Sequence, residues 1–272
     1  MTGFDTSWLA LREPVDCRAR NEDLLGKTAR FIASDPKGLI VDIGSGTGST
    51  FRAMGFRMPS TRWRLIDHDP RLLGEAARRH VGNGNITYEI ADLNHVSALP
   101  LDDANLVTAS ALFDLCSRIF IEELAQRLVG LGTGLYAALN YNGEMTYEIA
   151  HPEDAVVLEL FNFHQRSDKG FGVALGPQSA DVTSDVFASA GYSVEVARSD
   201  WVIDERASEL HQAFVDGVAT AVSETGKLQS AKLADWRDFR LKAIGRGGCR
   251  VGHTDVLALP RTSSLRSVGT DV

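Results

Sequence analysis

The sequence predicts an α/β protein: a mostly parallel, seven-stranded sheet with helices on both faces, plus helical additions. Three features of the chain lead there. Short apolar runs alternate with stretches whose apolar residues recur at helical spacing, the pattern of a parallel sheet wrapped by helices. The first apolar run ends on a turn containing Gly44, Gly46 and Gly48, and a helical stretch follows it. Cap residues mark the boundaries: Asp69-Pro70 supplies an N-cap residue with proline at the first helical position.

Taken in order, residues 38–43, 62–67, 86–90, 105–109 and 135–140 read as five strands, 192–198 as a sixth and 249–259 as the last. Leu72, Leu73, Ala76 and Ala77 form the apolar stripe of one connecting helix; Ile119, Phe120, Leu124, Leu128 and Val129 form that of another. Residues 35–38 read as the turn into the first strand. Residues 152–166, 178–190, 207–222 and 228–243 read as helices, the last pair lying between the final two strands. The expected organisation is a helical lid over 1–36, a ligand-binding domain over 37–260 with a helical insertion around 204–245, and a flexible Ser/Thr/Gly-rich tail over 261–272.

Composition narrows the function classes. A chain of 272 residues with 44% hydrophobic and 24% charged residues is an ordinary globular protein with one large core. A net charge of −8 argues against coating nucleic acid or anionic membrane through bulk electrostatics. Arg52, Arg57, Arg62 and Arg64 fall close together and read as a solvated surface in preference to an RNA or acidic-substrate patch. Cys17, Cys116 and Cys249 are widely spaced, which suggests neither a zinc site nor a disulfide framework. No apolar run approaches the ~20 residues that span a bilayer, and Met1 to Trp8 lacks the pattern of a secretory leader. The expectation is a cytoplasmic monomer or homodimer with a small-molecule partner and without a nucleic-acid partner, a membrane partner or a metal.

The chemistry concentrates in Val41-Asp42-Ile43-Gly44-Ser45-Gly46-Thr47-Gly48, between the first strand and a helix. Glycines keep such a turn tight and let the backbone approach a ligand. The helix beyond presents free N–H groups at the carboxyl edge of the sheet, where open α/β folds bind ligands. A P-loop would need a lysine after Gly48, and none is there. A dinucleotide fingerprint would need its third glycine at Ser49.

The pattern Asp-x-Gly-x-Gly-x-Gly resembles the first motif of class I S-adenosylmethionine (SAM)-dependent methyltransferases, and two later segments are similar to that family as well. The resemblance covers residues 38–140 and reaches the final strand. It implies a Rossmann-like sheet, SAM as cofactor, and Gly44, Ser45, Gly46, Thr47 and Gly48 at the cofactor. In Trp63-Arg64-Leu65-Ile66-Asp67-His68-Asp69-Pro70, it implies that Asp67 accepts the ribose hydroxyls. There, Asp69 reads as a helix cap, and His68 either flanks the adenine or faces solvent. Ala91-Asp92-Leu93-Asn94 resembles the adenine-binding motif, which gives Asp92 and Leu93 to the base; a turn cap is the other reading of Asp92. Ser110 opens the segment that passes the methionine part in the family. Arg18 or Arg20, in the segment before the core, can neutralise the cofactor carboxylate.

The acceptor side is less legible. Asp114, after the fourth strand, either meets substrate, as a contact or a base, or caps a helix. Tyr141 and Asn142, past the fifth strand, either line the rim or stabilise a turn. The polar and aromatic connector 162–172 carries His164, Arg166 and Lys169, each a substrate candidate; the other readings are a core histidine and a solvated loop. Methyl transfer from SAM demands no invariant catalytic side chain, and no residue is singled out as catalytic. The expected activity is methyl transfer to a small molecule. An RNA or protein methyltransferase and a catalytically silent SAM-fold binding protein are the alternatives.

Overall fold

The computed structural model describes residues 5–35 and 38–261; the expected tail past Arg261 and the middle of the turn at 35–38 lie outside the described residues. Helices α1 (Thr6–Ala19) and α2 (Glu22–Ala33) precede strand β1 (Leu39–Ile43). Then come α3 (Ser49–Met54), β2 (Arg62–Asp67), α4 (Pro70–Arg79), β3 (Ile86–Ile90), β4 (Leu106–Ser110), α5 (Arg118–Leu131) and β5 (Gly134–Tyr147). The second half runs α6 (Asp154–His164), α7 (Ser179–Ser189), β6 (Ser193–Arg198), β7 (Trp201–Ile203), α8 (Ser208–Glu224), α9 (Ser230–Ala243) and β8 (Cys249–Leu259).

The strands form one sheet in the order β3-β2-β1-β4-β5-β8-β6, with β7 paired to β8 off this path. Strands β1 to β5 are mutually parallel; β8 is antiparallel to its three partners. Burial explains the order. All five residues of β1 are buried, as a central parallel strand covered on both faces requires, whereas edge strand β3 is mostly accessible. Separate apolar clusters contain Val41 and Ile43 on one face of β1 and Ile40 on the other.

The sheet has eight strands and not the expected seven. Past Arg198 the ladder with β8 is interrupted at Ser199 and Asp200, where the Ser199 N–H still donates to the His253 carbonyl, and it resumes through Trp201–Ile203. Three residues are too short a run for periodicity to flag as a strand. The fifth strand also outruns its expected end at residue 140. It continues to Tyr147 through two register shifts, between Ala137 and Asn140 and between Tyr141 and Met145. At the first shift Leu139 takes a positive φ of 56°, held because its N–H donates to Asp255 Oδ1 at 2.8 Å. The far halves of β5 and β8, with β7, carry a further core against α6, α8 and α9, including Trp201, Phe214, Val218 and Trp236.

Local chemistry sets the helix ends. Asp69 accepts from the N–H of Arg71 and caps α4, as its sequence position predicts. Asn21 and Ser117 cap α2 and α5 in the same way. The cluster of arginines is largely neutralised: Arg52 pairs with Glu13, Arg57 with Glu22, and Arg64 with Asp103. All three cysteines are free. Among the described residues, no helix is long and apolar enough to cross a membrane.

Candidate functional site

The glycine turn after β1 is shaped by positions that a side chain cannot occupy. Gly44 has φ of 63°, and a Cβ there would stand 3.2 Å from the Leu112 side chain. Gly48 has φ of 78°, and a Cβ there would stand 2.6 Å from the His80 ring. Gly44 therefore keeps the ligand side clear, while Gly48 lets α3 pack on His80. The Ser45 N–H donates to the Ile66 carbonyl at 3.0 Å, which ties the turn to the end of β2.

Beside this turn lies a cavity of about 310 Å³. It sits past the carboxyl ends of β1, β2 and β4, where the strand order reverses between β1 and β4. Its walls bring together Gly44, Ser45, Gly46, Thr47, Asp67, His68, Leu93 and Ser110 from four separate segments. Asp67 ends β2 with its carboxylate facing the turn: Oδ2 accepts from the Gly46 N–H at 2.8 Å, and Oδ1 from the Asp69 N–H at 3.0 Å. His68 is exposed, with Nδ1 3.3 Å from Asp67 Oδ1.

Two candidates from the cofactor set stand outside the lining. Gly48 is a packing glycine at the N-terminus of α3. Asp92 turns back on its own loop and accepts from the Asn94 N–H at 2.9 Å and from the Asn94 amide. The acceptor candidates also lie outside these walls. Tyr141 donates to Asn162 Oδ1 at 2.7 Å, and Asn142 meets Thr254. His164 sets Nε2 against Glu224 at 2.8 Å, and Lys169 reaches Nδ1 of the same ring at 3.3 Å. Arg166 lines a separate groove beside the start of α5. Asp114 is buried next to the lining residue Leu115, and its Oδ1 has no hydrogen-bond partner. Burial raises its carboxyl to about 6, against the pull of Arg12 and Lys169.

Behind the cavity floor lies a buried charge cluster. Arg20 is 3% exposed; its Nη2 donates to Ser110 Oγ at 2.9 Å, while Nε and Nη1 are without partners. Asp16, Asp42 and Asp255 surround it electrostatically. Asp42, inside β1, accepts from the Thr108 hydroxyl at 2.7 Å and leaves Oδ2 unmatched. Burial pushes its carboxyl up to about 7. Ser45 Oγ is likewise buried without a partner. Of these three, Ser45 lines the cavity, while Arg20 and Asp42 lie behind its lining.

Three segments expected near the site complete its wall: the lid helix, the stretch after β4 and the connector after α6. Leu9, Arg12 and Asp16 come from α1, and Leu112, Leu115 and Phe171 complete the enclosure. Arg12 and Asp16 pair at 2.8 Å with i,i+4 spacing, a signal that the sequence does carry. Asp16 also accepts from the Trp201 indole at 2.8 Å, which binds α1 to β7. Of the two arginines offered for a cofactor carboxylate, Arg20 lies behind the lining, bonded to Ser110, and Arg18 is exposed.

No family model matches the chain, and no curated protein matches it by sequence. Solved structures do match by shape. The YcgJ protein of Bacillus subtilis is 14% identical, with a TM-score of 0.51 over 88% of this chain and 99% of that one. A candidate methyltransferase of Bacillus halodurans C-125 is 14% identical, with a TM-score of 0.50 over 86% of this chain and 96% of that one. A SAM-dependent methyltransferase of Geobacter sulfurreducens, solved with S-adenosyl-L-homocysteine, gives 0.49 at 14% identity over 96% and 100% of the two chains. This chain has the Rossmann-like class I methyltransferase fold.

Proposed function

We propose that this protein transfers a methyl group from SAM to a small-molecule acceptor. The observation that carries this reading is the convergence of the glycine turn, Asp67 and Leu93 on one cavity at the switch point of this fold. Its volume of about 310 Å³ suits one nucleoside-sized ligand. The unmatched Arg20, Asp42 and Ser45 atoms suit the zwitterionic end of an amino-acid substituent.

On this reading Asp67 holds the ribose hydroxyls, exchanging its bond to the Gly46 N–H for them. Leu93 and Leu72 flank the base, and Arg20 takes the carboxylate. Bound SAM would supply a methyl group on a sulfonium, which an acceptor lone pair displaces in line as the carbon–sulfur bond breaks. The chain's own part is alignment and exclusion of water. Leu9 and Arg12 of α1 cover the cavity as a lid, and Leu112, Leu115 and Phe171 dry its far end. The paired arginines leave little basic surface for RNA, which favours a small acceptor.

Calorimetry should find micromolar-range binding of SAM and S-adenosyl-L-homocysteine (SAH) and none of NAD(H). Tight dinucleotide binding without SAM binding would overturn the proposal. Asp67→Ala should remain folded and lose roughly 2 kcal/mol of SAM affinity, because the ribose hydroxyls lose a charged acceptor. An unchanged affinity would remove Asp67 from the site.

A further inference from the structure

Phe171 belongs to two depressions at once. Its inner side closes the 310 Å³ cavity, and its outer side borders an open groove of about 670 Å³ between the start of α5 and the segment after α6. The inner cavity has room for one ligand of nucleoside size, so a second reactant must approach from elsewhere. The groove is the neighbouring space that shares a wall with it.

The groove's surface has a definite chemistry. Ile119 and Val173, 66% and 75% exposed, give the groove an aliphatic surface, and Phe120 lies between them and the core. Two arginines and Glu123 provide the charge. Arg118 leans on Glu122 at 3.5 Å, whereas the Arg166 guanidinium has no partner among the described residues. Gly172, with φ of 80°, adjoins Ser117 and lets the Phe171 segment lie close along α5.

We propose that this groove is the acceptor's docking site and that the acceptor is an amphipathic acid: an apolar body on Ile119 and Val173, an anionic group on Arg166, and its nucleophile delivered past Phe171. This rests on the methyltransferase reading for the word acceptor, but the site itself is testable without turnover. The probes are 4-hydroxycinnamate and decanoate, each beside its uncharged methyl ester, measured by calorimetry and saturation-transfer NMR on the protein with and without SAH. The acids should bind more tightly than the esters. Arg166→Ala should weaken the acids at least tenfold and leave the esters unchanged. Val173→Glu, at an exposed position, should weaken acids and esters alike. Neither variant should change SAH affinity. Absence of acid binding, or acid binding indifferent to both variants, overturns the groove. Wild-type protein that binds the acids through Arg166 but does not bind SAH overturns the methyltransferase reading and leaves the groove as a ligand site.

Discussion

Arg20→Gln is expected to weaken SAH binding by roughly 3 kcal/mol, about a hundredfold, while 5′-methylthioadenosine binding changes little. The two ligands share the adenosine part, which meets Asp67 and Leu93 in the proposed pose. Only SAH carries the amino-acid carboxylate. The Arg20 guanidinium is buried, spends Nη2 on Ser110 and leaves Nε and Nη1 unmatched. A carboxylate there gains charge-assisted hydrogen bonds in a low-dielectric setting, which is why the expected loss exceeds that of an exposed ion pair. Glutamine keeps a donor but no charge. Arg20→Lys keeps the charge without the fork and should fall between the two. The neutral ligand also reports whether the cavity is intact. Equal losses for both ligands would mean that Arg20 supports the floor through Asp16, Asp42 and Asp255 and takes no carboxylate.

Asp42 should make the free protein less stable as pH rises toward neutrality. Its folded-state value of about 7 lies above the 3.8 of an unburied carboxyl, so the folded protein holds a proton that the unfolded chain releases. The stability linked to that proton is complete below about pH 4 and is lost as pH passes through about 7. The shift corresponds to roughly 4 kcal/mol. Asp114, raised to about 6, contributes in the same direction. Urea unfolding at pH 5 and pH 8 tests this. Wild type should lose much more stability across that interval than Asp42→Asn, which retains only the slope due to other groups. Parallel slopes for the two proteins would show that Asp42 is charged in the folded state at both pH values.

The sheet was legible because its strands are short, apolar and separated by recognisable turn and cap residues. Arg62–Asp67, Ile86–Ile90 and Cys249–Leu259 have the boundaries that the sequence pattern predicts. The glycine turn was legible for a related reason: positive φ and close approach restrict the residue type at each position, so the constraint is written in the composition. The strand Trp201–Ile203 was not legible. Its pairing depends on where β8 lies after α8 and α9 have intervened, and three residues carry too little periodicity. Tyr141, Asn142 and His164 were reasonable acceptor candidates from their position in the chain. Their side chains are directed instead by Asn162, Thr254 and Glu224, partners between 21 and 112 residues away.

Local chain chemistry was therefore enough for the α/β class, the strand positions near the glycine turn and the cap at Asp69. Each depends on a periodicity or a steric restriction that acts within a few residues. Folding had to supply the rest: Phe171 between cavity and groove, the charge cluster of Arg20, Asp42 and Asp255, and the turning of Asp92 and His164 away from the site. These depend on which surfaces meet when distant segments pack. Burial, which raises Asp42 and encloses Arg20, exists only after water has been excluded from between those segments.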